Sequence, residues 1–304
     1  MAKATRHLRE NQKEFYKTIT GLCERKAVWQ VWSDFLECSA IAISNCFDQA
    51  GEIHDKREQR YLQIIRGYKE QEQLGLCRLL GYVRDALEEN PDQDFLGDMY
   101  MALNLNSHWH GQFFTPYHVS HFMAKVTISK DDETLRERGW IGLNDPACGA
   151  GSLLIAARNV CFDEGIGYRR VLFTAQDVDR VVALMCYIQL SLLGCAGYVV
   201  VGDSLLNPVS SIGSTLLPAF SPQHEVWFTP MFYDEIWQGR IQCAWLSLLL
   251  REAFDKKARP EIAAEAEDAH AVDSVAVQDV SAPKDEDEYD SELLADQSGQ
   301  LRMF

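Results

Sequence analysis

The stretch Asn144-Asp145-Pro146-Ala147-Cys148-Gly149-Ala150-Gly151-Ser152 constrains the fold of this chain more than any other. Before it, Trp140-Ile141-Gly142-Leu143 is a short apolar run that reads as a strand. After it, Leu153 to Val160 is apolar and Ala-rich and reads as a helix. A strand passing through a Gly-rich turn into a helix converges backbone N–H groups on a ligand at the helix N-terminus. Gly149 and Gly151 have no Cβ, so the main chain can approach that ligand closely. Asp145, at the strand end, would repel a phosphate and suits a cationic group such as the ammonium of an amino acid. Leu154 stands where a dinucleotide fingerprint has its third glycine, which argues against a nicotinamide or flavin cofactor.

The ligand these features favour is S-adenosylmethionine, and at this point the chain resembles a known family. Asp-Pro-Ala-Cys-Gly-Ala-Gly-Ser, at 145–152, is similar to the glycine-rich motif of the N6-adenine DNA methylases, the family of the type I modification subunits. Three further blocks follow the family's order. Gly111-Gln112-Phe113-Phe114-Thr115-Pro116 resembles the segment placed just before the core. Thr174-Ala175-Gln176-Asp177-Val178-Asp179 and Tyr198-Val199-Val200-Val201-Gly202-Asp203-Ser204 each end a strand on an acid. The resemblance implies an α/β, Rossmann-like methyltransferase core with a shortened sheet, preceded by an all-helical domain. It implies that Phe114, Thr115 and Pro116 fold over the methionine end of the cofactor, beside Asp145, Pro146, Ala147, Gly149 and Gly151. Asp177, with Val178, would hold the ribose, and Asp203, with Ser204, the adenine. It also implies the strand order 3-2-1-4.

At the end of the fourth strand the family carries Asn or Asp, then Pro-Pro, then an aromatic, which together hold a flipped adenine. The matching residues here are Thr229-Pro230-Met231-Phe232. Pro230 can shape the turn and Phe232 can stack, but Thr229 lacks the reach of Asn or Asp. Two functions therefore stand side by side: an N6-adenine DNA methyltransferase, or a methylase-derived binding protein that keeps the cofactor pocket without the chemistry. The latter would be a regulatory, accessory or anti-restriction factor. The family's sheet continues beyond its fourth strand, whereas here only a helical stretch to about 254 follows.

Along the chain, residues 1–105 read as helices, with Phe15, Ile19 and Leu22 and then Trp29, Trp32, Phe35 and Leu36 in helical spacing. Residues 106–255 form the core, with strands at 140–144, 171–177, 198–203 and 224–229 and helices at 116–126, 152–164, 179–193 and 234–254. Alternating strands and helices imply a parallel sheet whose ligand sits at the carboxyl ends of the strands. No apolar run of 18 residues and no apolar leader occurs, which implies a cytoplasmic protein without a membrane partner. The nine cysteines include no Cys-x-x-Cys pair and read as reduced thiols. His108-x-His110 and His118-x-x-His121 lack the companions of a metal site.

A net charge of −16 opposes DNA affinity, which rests on phosphate neutralisation. DNA contact then needs a local basic patch or a partner: a methylase or specificity subunit, or a second copy. Lys3, Arg6, Arg9, Lys13, Lys17, Arg25 and Lys26 are a candidate for such a patch, though the run reads first as the solvated face of an opening helix. Half of the negative charge lies in 256–304, with 13 acids against 5 bases. That segment has few large apolar residues and reads as a disordered tail. It closes on Gln300-Leu301-Arg302-Met303-Phe304, which resembles the bacterial sliding-clamp-binding motif. The resemblance implies that Gln300, Leu301, Met303 and Phe304 dock on a replication clamp.

Overall fold

The computed structural model describes residues 8–48, 51–105, 114–212, 216–269 and 300–302. The first part is helical, as its periodicity requires: α1 (Glu10–Gly21), α2 (Val28–Asn45), α3 (Glu52–Ile65), α4 (Glu70–Glu89) and α5 (Phe95–Ala102). Phe15 and Ile19 of α1, Trp32, Phe35 and Leu36 of α2, and Leu79 and Val83 of α4 are fully buried, each set on one helical face. The side chain of Asp94 caps α5 by accepting the N–H of Gly97 at 2.8 Å. The remaining helices are α6 (Tyr117–Thr127), α7 (Glu133–Arg138), α8 (Ser152–Asp163), α9 (Arg180–Leu192) and α10 (Glu235–Ala269). The strands are β1 (Ile141–Asp145), β2 (Val171–Asp177), β3 (Ala196–Val201), β4 (Ser210–Ser211), β5 (Pro218–Ala219), β6 (Glu225–Phe228) and β7 (Gln300–Arg302).

The main sheet has the order β6-β3-β2-β1-β7, and β4 pairs with β5 in a separate hairpin. β1, β2 and β3 run parallel, joined through α8 and α9. The expected order 3-2-1-4 is corrected at its fourth strand. β6 pairs antiparallel with β3, opposing Glu225 to Val201 and Phe228 to Tyr198. The connection explains this. A parallel neighbour needs a long crossover, usually a helix. Among the described residues, the connection from β3 to β6 contains the β4–β5 hairpin and no helix, so the chain turns back beside the strand it has just left. The outer edge of β6 is met by α3, whose Arg57 donates to the carbonyl of Val226 at 2.7 Å and lies 3.7 Å from the ring centre of Trp227.

The open side of β1 is taken instead by β7, which pairs parallel with it and sets Leu301 opposite Leu143. The tail reading of 256–304 therefore needs two corrections. α10 runs on to Ala269, past the expected boundary at 255, and 300–302 form a strand. An Ala- and Glu-rich composition has high helix propensity even where it cannot bury a core. Met303 and Phe304 lie outside the described residues.

One continuous core spans Phe15, Trp32 and Leu79 of the helical part and Leu143, Ala175, Ile188 and Trp227 of the α/β part. The helical residues before 106 thus pack into the α/β core, and α2 lies along α9. Ion pairs join them at the surface of this contact: the buried Glu37 accepts from Arg60 at 2.9 Å and from Arg180 at 3.0 Å, and Arg180 also reaches Glu225 at 2.7 Å. A second cluster, on the other face of the sheet, contains Trp140, Leu172, Tyr198, Phe232 and Trp237. Among the described residues, no helix is long and apolar enough to cross a membrane.

Candidate functional site

β1 ends at Asp145, and the turn that follows is tied down from three sides. The N–H of Cys148 donates to the carbonyl of Gln176 at the end of β2, at 3.0 Å, and the N–H of Gly151 to the carbonyl of Cys148, at 2.8 Å. The N–H of Gly149 donates to Asp177 Oδ2 at 2.8 Å, while Asp177 Oδ1 accepts the N–H of Asp179 at 2.9 Å. Gly149 and Gly151 have φ of +53° and +94°, conformations that L side chains rarely adopt. A Cβ on Gly151 would lie 2.9 Å from Cys186 Sγ on α9, and one on Gly149 would lie 3.2 Å from the Phe114 ring. The glycines serve backbone shape and close packing together.

The turn floors a cleft of about 200 Å³ at the carboxyl ends of β1 and β2. Of the residues expected at a cofactor, Phe114, Thr115, Asp145, Ala147, Gly149 and Asp177 line it. The structure does not bring Pro116, Pro146, Gly151, Val178, Asp203 or Ser204 into that lining. Pro116 precedes α6, Gly151 faces α9, Val178 is 70% exposed, and Asp203 Oδ1 accepts the N–H groups of Leu205 and Leu206. Cys148, Ala150, Ser152, Leu153 and Val182 line the cleft in addition. Cys148 and Ala150 belong to the glycine-rich turn and Ser152 and Leu153 open α8 directly after it, so all four could have been taken from that stretch. Val182 lies inside an apolar helix and carries no sequence signal.

Asp145 sets the electrostatics. It is 1% exposed; Oδ1 accepts the N–H of Ala147 at 3.1 Å, and Oδ2 has no hydrogen-bond partner among the described residues. Burial pushes its carboxyl up to about 6; the Ala147 N–H opposes the rise and the Asp177 charge adds to it. Asp177 is also raised, chiefly by burial. Two carboxylates held close together, one of them half-satisfied and desolvated, attract a cation or hydrogen-bond donors and repel phosphate.

The residues matched to catalysis lie elsewhere. Because β6 is antiparallel, its far end meets the start of β3, not the crevice. Thr229 is fully buried there: its N–H donates to the carbonyl of Gly197 at 2.9 Å, its hydroxyl accepts the N–H of Gly197 at 2.9 Å, and the same hydroxyl donates to the carbonyl of Cys195 at 2.7 Å. The six residues of β3 separate this point from the cleft end by roughly 15–20 Å. Pro230 opens a short 3-10 helix, and Phe232 is buried in the second cluster, stacked on Phe228 at 4.8 Å. The expectation that Thr229, Pro230 and Phe232 face a target base is therefore corrected. His118 and His121 join no metal set, and no group of three or more candidate ligands exists among the described residues; His108 and His110 lie outside them. Of the basic run, Arg9 pairs with Asp98, Lys13 with Glu10 and Lys26 with Asp34.

A mixed sheet whose β1, β2 and β3 run parallel between helices, with a glycine turn after the first strand and acids at two strand ends, defines a Rossmann-like core. The model of the family described as N-6 DNA Methylase matches residues 91–242, half of the chain, and the chain belongs to that family. It is 32% identical over 122 residues to the type I restriction enzyme MjaVIII methylase subunit of Methanocaldococcus jannaschii. That match covers 38% of this chain and 19% of the relative, so the chain spans less than a fifth of that protein. Two solved structures show weaker likeness. One is a putative class I S-adenosylmethionine-dependent methyltransferase (lmo1582) from Listeria monocytogenes, with a TM-score of 0.38 and 16% identity over 72% of this chain and 67% of that one. The other is the type I restriction-modification system methyltransferase subunit from Streptococcus thermophilus, at 0.32 and 13% over 64% and 58%.

Proposed function

We propose that this chain binds S-adenosylmethionine in the cleft and acts on DNA as the cofactor-holding component of a modification assembly. The observation that carries the reading is the buried, unpartnered Oδ2 of Asp145, set over a floor of glycine backbone. An α-ammonium fits that oxygen, and desolvation strengthens the attraction. Phe114 and Thr115 line the same cleft. Each oxygen of Asp177 accepts one backbone N–H and keeps a lone pair for a ribose hydroxyl. Asp203, Ser204 and Val178 lie outside the cleft lining. When bound, the cofactor supplies a methyl group activated on a sulfonium; this chain binds and orients it.

Family membership and the methylase-subunit relative support DNA as the target and a methylase or specificity subunit, or a second copy, as partner. The net charge of −16 favours DNA contact through such a partner. The burial of Thr229 favours the reading in which the chain holds the cofactor without transferring the methyl group by itself. Calorimetry with S-adenosylmethionine and transfer of a radiolabelled methyl group to unmethylated DNA test both halves. Binding without transfer by the purified chain is expected. Absence of binding refutes the cofactor reading, and efficient transfer by the chain alone refutes the division of labour.

The sliding clamp remains a proposed partner through Gln300, Leu301, Met303 and Phe304. Gln300–Arg302 are the residues of β7, so clamp docking competes with the pairing on β1. Deleting 300–304 should abolish binding in an anisotropy titration with the clamp and leave the cofactor affinity intact; equal binding by both forms ends the idea.

A further inference from the structure

Gln189 lies on α9, is fully buried, and has its polar atoms committed in two directions. Its Nε2 donates to Asp94 Oδ1 at 2.8 Å and to the carbonyl of Ala150 at 2.9 Å. Its Oε1 accepts the N–H of Leu96 at 3.1 Å. One side chain therefore joins the cap and first turn of α5 to the middle of the glycine-rich turn. Three residues earlier on α9, Cys186 is the surface on which Gly151 rests.

A turn built on two glycines is soft, because neither residue restricts its own backbone. Fixing the carbonyl of Ala150, between them, fixes the peptide plane it shares with Gly151 and hence the path of the turn that floors the cleft. Packing alone does not call for an amide here. α9 is otherwise Val, Ala, Leu, Met, Cys, Tyr and Ile along its buried length, and an unpaired amide among them would be costly. The amide fits because it meets two acceptors and a donor on two separate elements.

We propose that Gln189 is a positioning residue for the cofactor loop, and that through Asp94 and Leu96 it makes the loop geometry depend on α5. Anything that shifts α5, a partner subunit included, then alters cofactor affinity without touching the cleft. The inference rests on the reading that S-adenosylmethionine is the ligand.

The test uses the full chain. Gln189→Glu removes the donor to Ala150 and sets a second carboxylate beside Asp94. Adding Asp94→Asn restores a donor between α5 and α9, at the expense of the Gly97 N–H that the same oxygen caps, and leaves the carbonyl of Ala150 without one. The single variant should lose both thermal stability and cofactor affinity. The double variant should regain part of its Tm, short of the cap lost at Gly97, while binding S-adenosylmethionine at least ten-fold more weakly than wild type in calorimetry. Affinity that recovers together with Tm overturns the proposal, since Gln189 would then be structural only. A wild-type chain that binds no cofactor refutes the proposed ligand instead. Hydrogen exchange at the amides of 149–152 still decides in that case: faster exchange in the double variant upholds the positioning role, and unchanged exchange overturns it.

Discussion

Gly151→Ala perturbs the glycine turn where two demands meet. The residue has φ of +94°, so an alanine is strained by about 1–2 kcal/mol on conformation alone. Its Cβ would also sit 2.9 Å from Cys186 Sγ and 3.4 Å from Cys186 Cα and Cβ, on a side chain that is fully buried. Overpacking of that kind costs about 1–3 kcal/mol. The combined effect, about 2–5 kcal/mol, should divide between lost stability and a displaced turn that binds S-adenosylmethionine poorly. Urea denaturation measures the first part and calorimetry the second. Cys186→Ala separates the causes, because it removes the Sγ contact and leaves the φ strain. In the wild-type background it should destabilise by opening a cavity; in the Gly151→Ala background it should be neutral or stabilising. A double-mutant cycle with no coupling, or a Gly151→Ala protein of unchanged stability and affinity, refutes the close-approach reasoning.

Other outcomes follow from the same geometry. Asp145 has a folded pKa of about 6, above its ordinary 3.8, so its contribution to stability is present below about pH 4 and lost as pH rises through 6. Asp145→Asn should flatten that slope and stabilise the free protein at pH 7 by roughly 2–3 kcal/mol, while weakening cofactor binding; thermal scans from pH 4 to 8 and calorimetry check both. Thr229→Val should cost about 1–3 kcal/mol by leaving the Gly197 N–H without its hydroxyl, with cofactor affinity unchanged by calorimetry. Arg57→Ala removes the cation over Trp227 and the bond to Val226, and should lower the urea midpoint by the equivalent of about 1–3 kcal/mol. Hydrogen exchange should show the amides of β6 opening first in that variant.

The sequence makes β1, β2, β3, α8 and α9 legible to within two residues, because apolar runs bounded by Gly and Asp carry strand–turn–helix geometry locally. It makes Asp145, Asp177 and the glycine turn legible for the same reason. The placement of β6 was not local. Its Val226-Trp227-Phe228 run reads as a strand, but direction and neighbour depend on the connection, and the order the resemblance implies is contradicted by the antiparallel pairing of β6 with β3. Thr229 then followed the strand to the wrong end of the sheet. Gln189 was invisible for a different reason: a single amide in an apolar helix acquires meaning only from what lies opposite it. The extension of α10 shows that helix formation and core formation are separate questions.

The continuous packing from Phe15 to Trp227 has a thermodynamic consequence. Elements that share a core tend to open together, and any ligand that binds only the native state stabilises all of them by the same free energy. Occupation of the cleft should therefore slow protease cleavage within α1 and α4, far from the ligand, by the same factor as cleavage within α8. The helices before residue 106 would act less as an appended module than as the other half of the cofactor site's own foundation, and cutting the chain there would uncover the part of α9 that lies against α2.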